Sequence, residues 1–426
     1  MTKKSTVPAS DPAITTIDQR VSIAEGAVHC PYRRTTDLLQ RLAPNRMRVG
    51  FFLGAGCPLS VPGPGGEPII PEIDGLTNSV KQYLDGHDSL QNIARSAWER
   101  VTARGIAHPT IEDVLGHIRT LKSLCGSGPI DGFSADQLVG LDGAICEKVK
   151  EIVTQNLPEG DTPYHVLASW IQAVQRERPV EIFTTNYDLL IEQALEAYRV
   201  PFFDGFIGSD NAFLDLEAMA EDDLPPRWAR LWKIHGSVNW WIDPKMKIRR
   251  SRDKQTGEQL LIYPSHLKYD QSRQMPYTAM LDRLRVFLRS DQCVLVTCGY
   301  SFGDEHINAN IAQGLVGNPD AACVALIFND LTDAPKAVSL AKRHANLTVM
   351  AADGGVVGTI LRPWDTVVKD ANPAYATAVA TDMPVGRTKA PTAQCKWLLG
   401  DFAAFGRFLA QQLSNRDIET ELRDEA

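Results

Sequence analysis

Six short apolar runs, each ending on small or polar residues, constrain this chain most. RVGFFL runs into GAGC, VEIF into TTNYD, ARLWKI into HGS, CVLVTC into GYSFGDEH, ACVALIF into ND, and LTVM into AADG. Runs without polar alternation suit strands covered on both faces, as in parallel sheets. QLLIYPS adds a further strand signal, while LLIEQALEAYR and MLDRLRVFLRS have the spacing of covering helices. The alternation indicates an α/β fold with an open, mostly parallel sheet.

The regions around these runs divide the chain. Residues 1–30 are rich in Pro, Ala and Thr and are expected to form a flexible arm. DLLQRLAPNR reads as a short helix stopped near Pro44, and VPGPGGEPIIPEIDG as a loop over the first glycines. From about 75 to 175, IEDVLGHIRTLKSL and PYHVLASWIQAV carry helical spacing, with Thr110 and Asp161 as candidate N-caps. A helical lobe is therefore inserted after the first strand. Over 376–426, CKWLLGDFAAFGRFLAQQL reads as an amphipathic helix and SNRDIETELRDEA as a charged tail. At roughly 150 residues per domain, 426 residues suggest two or three domains. The pattern instead favours one α/β domain over 31–375 with its insertion, plus a short helical C-terminal element.

Composition excludes several classes. Forty-four Lys and Arg against 52 Asp and Glu leave the chain acidic, unlike a protein that coats nucleic acid. There is no apolar leader behind the early lysines and no run of about 20 apolar residues to span a membrane. The eight cysteines form no CxxC pair, which suits reduced, buried thiols of a cytoplasmic protein and no metal site.

Ligands of open parallel sheets bind where the strands end, so the residues after each run are the candidates. Gly54, Ala55 and Gly56 would let backbone amides approach a pyrophosphate, or simply form a tight turn. The Thr184–Asp188 cluster is either a polar site or an Asx-type turn in which Asp188 caps the next helix. His235, beside Gly236 and Ser237, is placed to act as a general base, or is a structural histidine. Gly299–Gly303 matches the G-x-S-x-G elbow, with Ser301 as a serine-hydrolase nucleophile. Only His306 and His344 follow Ser301, which suits that triad order poorly.

Taken in order, GAGC, TTNYD, KIHGS and GYSFGDEHIN resemble the sirtuin superfamily, and most closely its bacterial sirtuin-like NADases of anti-phage defence. The resemblance spans about Arg48 to Asp330 and implies a Rossmann-like sheet with a helical insertion, binding NAD as substrate. It implies that Gly54, Ala55 and Gly56 contact the pyrophosphate, Asn186 positions the ribose or attacking water, and Asp188 supports that loop or the nicotinamide amide. His235 would be the catalytic base. Gly299, Tyr300 and Ser301 would hold the adenosine end, with Asp304 bracing the turn. Cys57, Ser60, Thr184, Thr185, Gly236 and Ser237 complete the implied cofactor contacts.

Three departures shape the expected activity. Between Gly236 and Gly299 only Cys293 and Cys298 occur, so the four-cysteine zinc ribbon of deacylating sirtuins is not expected. PIIPEIDGLT, with Glu72 and Asp74, has no arginine where those enzymes carry Asp-Phe-Arg. Pro58 stands where the family has a small hydroxyl residue, and Ser60 follows two positions later. The first two favour NAD hydrolysis to ADP-ribose and nicotinamide over deacylation, with a sirtuin-type deacylase or ADP-ribosyl transferase as the alternative, and the third bears on the phosphate contact at that point. A nucleotide-binding scaffold without chemistry is the remaining reading, and the joint presence of Asn186 and His235 argues against it.

About fifty residues after the last sheet strands leave little room for a fused sensing domain. The resemblance therefore points to the stand-alone subunit of sirtuin–HerA systems. It implies a large homo-oligomer beside a HerA-type hexameric ATPase, with DNA reached only through that ATPase. Two segments could make such contacts: the basic PKMKIRRSRDK at 244–254, or else a solvated hairpin, and the Trp397–Leu413 helix, or else core packing.

Overall fold

The computed structural model describes residues 28–43, 46–125, 128–174, 176–221, 223–225, 227–243, 245, 247–251, 258–261, 275–365, 375–381 and 395–424. Nine strands make the central sheet: β1 (Arg48–Leu53), β2 (Val180–Thr184), β3 (Phe202–Phe203), β4 (Ala229–Lys233), β5 (Cys293–Cys298), β6 (Ala322–Leu326), β7 (Leu347–Met350), β8 (Gly354–Val357) and β9 (Ile360–Pro363). Their order is β9-β8-β7-β6-β5-β1-β2-β4-β3. From β7 to β3 all neighbours are parallel. β8 and β9 append an antiparallel hairpin. Every residue of β2, β4, β5 and β6 is buried, which is why these runs carry no polar alternation. The fold is the expected α/β architecture.

Twelve helices are described: α1 (Pro31–Leu42), α2 (Ile73–Asp85), α3 (Gln91–Ala103), α4 (Ile111–Leu124), α5 (Ala135–Val153), α6 (Pro163–Ala173), α7 (Leu190–Ala197), α8 (Leu216–Ala220), α9 (Tyr277–Arg289), α10 (Glu305–Gly317), α11 (Pro335–Ala341) and α12 (Phe402–Asp424). Helices α2–α6 all fall between β1 and β2, as the helical spacing there required. Thr110 caps α4 through a box with Asp113, its N and Oγ1 lying 2.8 and 2.9 Å from Oδ2. The cap of α6 is Thr162, whose Oγ1 accepts from His165 N at 3.3 Å, and not the expected Asp161. Asp161 instead accepts from the Tyr198 hydroxyl at 3.1 Å. Among the described residues no helix is long and apolar enough to cross a membrane.

Each face of the sheet carries its own core, because successive strand residues point to opposite sides. Phe51 belongs to one core and Phe52 to the other. On the Phe51 side, α6 and α12 pack together: Phe51 meets Trp170 and Phe405 with ring centroids 5.6 and 6.1 Å apart, and Tyr164 meets Phe402 at 4.9 Å. Phe402, Phe405 and Leu409 of α12 are buried, as is Trp397, which lies in the short strand Cys395–Trp397 and not on the helix expected from 397 to 413. The apolar side of the C-terminal helix is thus core, which decides between the two readings of its sequence. On the opposite face α9 and α10 cover the sheet, with Phe287 against Phe183 at 5.5 Å.

A second, antiparallel sheet has five strands, two from the chain between β3 and β4 (Phe206–Ile207 and Ala212–Leu214) and three after β4 (Gly236–Ile242, Ile248–Arg250 and Glu258–Leu261). The basic segment falls here. Arg249 lies 3.4 Å from Asp243 and donates to Asn211 O at 3.2 Å, while Arg250 pairs with the Asp204 carboxylate. Its strand arginines are therefore charge-paired within the chain; Arg252 and Lys254 lie outside the described residues.

Candidate active site at the strand ends

From β1 the chain first fills one side of the sheet (β2, β3, β4) and then returns to add β5, β6 and β7 on the other. Loops leaving β1 and β5 therefore diverge at a topological switch point, where such sheets bind ligands. Parallel register puts the last residues of four strands in one row: Cys298 beside Leu53, Leu53 beside Thr184, and Thr184 beside Lys233. The motifs GYSFGDEH, GAGC, TTNYD and HGS leave the sheet close to that row.

At the switch point the two glycine turns abut. Gly54 N donates to Cys298 O and Gly56 N to Gly299 O, both at 2.9 Å, and Cys57 N to Gly54 O at 3.0 Å. The amides expected at a pyrophosphate are thus already engaged at Gly54 and Gly56, while Ala55 between them is exposed. Cys57, expected among the cofactor contacts, is fully buried, and its thiol donates to Cys298 O at 3.2 Å. Burial pushes that thiol well above its ordinary pKa, so it stays neutral. No helix starts here; a 3₁₀ turn over Pro58–Ser60 follows. Ser60 Oγ donates to Asp401 Oδ1 at 2.7 Å, tying this turn to the start of α12.

The TTNYD turn is held by its own side chains. Thr184 Oγ1 donates to Leu53 O at 2.8 Å and accepts from Asn186 N at 2.9 Å. Asn186 Nδ2 donates to Gly54 O at 3.0 Å, which fixes its amide against the GAG turn. Thr185 and Asn186 are half-buried. Asp188 is buried, and its Oδ1 accepts from Leu190 N at 3.0 Å in an Asx-type turn entering α7. Burial raises its pKa despite the nearby Lys233 ammonium. Lys233, itself fully buried, donates to the Asp188 carbonyl and to Glu192 Oε1, the latter at 2.7 Å.

His235 occupies the corner between the two sheets. Ile234 N still pairs with Thr184 O at 2.8 Å, and Gly236 then adopts φ +84° and turns the chain into the antiparallel sheet. Ser237 is fully buried, and Val238 N donates to Tyr187 O at 2.9 Å. His235 is 9% exposed, and its Nε2 lies 3.3 Å from Asp304 Oδ2. Asp304 immediately precedes α10; its Oδ1 accepts from His306 N and Ile307 N at 2.9 and 3.2 Å. Burial pushes the Asp304 pKa up, but the His235 hydrogen bond and charge and the two amides overcome it, holding the carboxyl well below the usual range.

Around Asp304 the GYSFGDEH loop is tightly pinned. The Tyr300 hydroxyl lies 3.2 Å from Asp304 O and 2.9 Å from Asn308 Oδ1. Ser301 is exposed and its Oγ accepts from Gly303 N at 3.2 Å. The left-handed backbone falls on Phe302 (φ +57°), not on Ser301, so the strain of a nucleophile elbow is not at the serine.

The structure brings Asn186 to Gly54 and His235 to Asp304. It directs Cys57 and Ser237 into the protein, Asp188 toward α7, and Ser60 toward Asp401. Neither Lys233 nor Glu192 is among the expected site residues, and their one sequence signal is a lysine inside the apolar run LWKI. Asp74 lines a cleft of about 920 Å³ between α2 and α3, and none of the strand-end residues borders it. Among the described residues no group of three His, Cys, Asp or Glu side chains could hold a metal ion, and all eight cysteines are free.

No curated protein matches the chain. From the first residue of β2 into β7, residues 180–349 match the family described as the SIR2-like domain, a stretch that contains three of the four strand-end motifs.

Proposed function

We propose that the chain is an NAD glycohydrolase that converts NAD and water to ADP-ribose, nicotinamide and a proton. The observation that carries this reading is that Asn186 and His235 each follow by two residues the ends of the paired strands β2 and β4, where Thr184 lies beside Lys233, within the SIR2-like match. Nicotinamide leaves as a neutral ring from a cationic one, so the demand on the protein is to orient the ribose and admit one nucleophile. Asn186, its amide fixed on Gly54 O, orients the ribose or the water. His235 accepts a proton from a ribose hydroxyl or from the water, a contribution of about 10²–10⁴-fold. The turns at Ala55 and Ser301 are exposed beside them and offer contacts to the pyrophosphate and adenosine.

Release of nicotinamide and ADP-ribose, followed by chromatography, tests this. Asn186→Ala and His235→Ala should each lower turnover at least about 100-fold. Full turnover in both variants would overturn the assignment. Hydrolysis of a p-nitrophenyl ester, lost in Ser301→Ala, would instead establish the serine hydrolase. Acyl-lysine-dependent nicotinamide release would establish the deacylase.

In its setting, the reading makes the chain the NAD-consuming subunit of a bacterial, cytoplasmic anti-phage system, assembled as a large homo-oligomer with a HerA-type hexameric ATPase. Its support is the ordered resemblance of the four motifs. Light scattering of the chain with and without the ATPase tests it, and a monomer indifferent to the ATPase would overturn it.

A further inference from the structure

We infer that Asp304 is the positioning residue for His235, holding its imidazole in one orientation and one tautomer while capping α10. The inference rests on the reading of His235 as the base, and assigns to Asp304 a role beyond bracing its turn. The two carboxylate oxygens are divided between two tasks. Oδ1 takes the amides of His306 and Ile307, and Oδ2 faces His235 Nε2 at 3.3 Å. Two backbone donors on Oδ1 keep the carboxylate from rotating, so Oδ2 has a fixed position. Tyr300 and the Asn308 amide, both donating to Asp304 O, at 3.2 and 3.0 Å, hold the backbone beneath it.

The chemistry follows from what each atom can do. An ionised carboxylate only accepts, so Nε2 facing it must carry a proton, and Nδ1 is left to take one from substrate. The α10 N-terminus favours the charged carboxylate. When His235 gains a proton, the resulting imidazolium already has its counter-charge in place. The two residues come from the corner after β4 and from the loop after β5, on opposite sides of β1 and β2 in the sheet. Their contact thus crosses the row of strand ends, which Gly54 and Asn186 follow by one and two residues.

The test uses the full chain labelled with ¹⁵N-histidine, the His235 signals being identified by their loss in His235→Gln. Imidazole ¹⁵N shifts at alkaline pH should show the Nε2–H tautomer in the parent chain. Asp304→Ser keeps a capping hydroxyl but is too short to reach the ring. It should convert His235 to a mixture of tautomers. Nicotinamide release should fall about 10- to 100-fold in kcat, with KM for NAD changed less than about threefold. Asp304→Asn has one acceptor for these two tasks: with its oxygen on the His306 and Ile307 amides, its NH2 group faces Nε2, so it should switch His235 to the Nδ1–H tautomer and lose kcat; it also carries the test should the serine variant not fold. An unchanged tautomer in Asp304→Ser would overturn the inference, as would a changed tautomer with unchanged kcat. Absence of NAD cleavage by the parent chain would defeat the glycohydrolase reading instead, and the tautomer measurement would still report on the contact.

Discussion

Gly54 and Gly299 meet backbone to backbone where the strand order reverses: a Cβ on Gly54 would lie 2.3 Å from Gly299 O. A Cβ on Gly299 would lie 2.5 Å from Cys57 N, and Gly299 also has φ +63°. The glycines of both turns are thus required by each other before any ligand is considered. Gly299→Ala should cost about 1–2 kcal/mol for the left-handed backbone alone, and Gly54→Ala should force the β1 and β5 turns apart. By contrast, Gly140 lies inside α5 with nothing within 4 Å of an added Cβ. Gly140→Ala should stabilise by about 0.5–1 kcal/mol. Urea unfolding of the three variants checks this; equal stability of Gly140→Ala and Gly299→Ala would contradict the packing account.

Buried parallel strands announce themselves through unbroken apolar runs, and β1, β2, β4, β5, β6 and β7 were all legible that way. So was the helical insertion, because the faces of α4 and α6 repeat at helical spacing. The β8–β9 hairpin was not, since its strands are four residues each and β8 begins on Gly354 and Gly355. Its turn, Gly358 and Thr359 at φ +54° and +72°, has the left-handed pair that a two-residue hairpin needs, which is a weak signal outside Asn-Gly. ARLWKIHGSVNWW read as one strand signal yet serves two sheets, because only the positive φ of Gly236 reveals the corner. In the site, motif position located Asn186 and His235, whereas the His235–Asp304 contact joins residues 69 positions apart and has no local signature.

Lys233 and Glu192 form an ion pair with almost no solvent around it: their side chains are 1% and 11% exposed, and Glu192 Oε2 has no partner among the described residues. Burial raises the Glu192 pKa against the pull of Lys233. Lys233→Met leaves that carboxyl without its charge partner and should cost about 3–5 kcal/mol. It should also release the Asp188 carbonyl and loosen the TTNYD turn. Lys233→Met combined with Glu192→Leu should recover most of the stability, because two buried charges are removed together. Chemical denaturation of the single and double variants checks this, and additive losses in the double variant would contradict it.

His117 in α4 is 4% exposed, and neither ring nitrogen has a hydrogen-bond partner among the described residues. Burial lowers its pKa, and Arg104 and Arg100 add to this against Asp131. The folded chain therefore resists protonation that the unfolded chain accepts near pH 6.5. Its contribution to stability is intact above about pH 6.5 and is lost as pH falls below that value toward the depressed folded pKa. His117→Leu should raise the melting temperature and flatten its fall between about pH 7 and 5. A parallel pH dependence in the variant and parent would show that His117 does not carry the effect.

The Ser60–Asp401 hydrogen bond joins the turn after GAG to α12, since Asp401 Oδ1 also accepts from Ala403 N at 3.0 Å. Two roles for Ser60 make different demands on kinetics. As an anchor alone, it acts through Asp401, so Ser60→Ala and Asp401→Ala should shift KM for NAD alike. The double variant should then be no worse than either single one. As a direct phosphate contact, Ser60→Ala should raise KM whether or not Asp401 is present. The geometry favours the anchor, because the hydroxyl's one proton is committed to a carboxylate at 2.7 Å. Asp401→Ala should in addition lower stability by about 1 kcal/mol through the lost cap. A double-mutant cycle on KM and on unfolding free energy separates the two: coupling in both quantities supports the anchor, and coupling in stability with additive KM effects supports the phosphate contact.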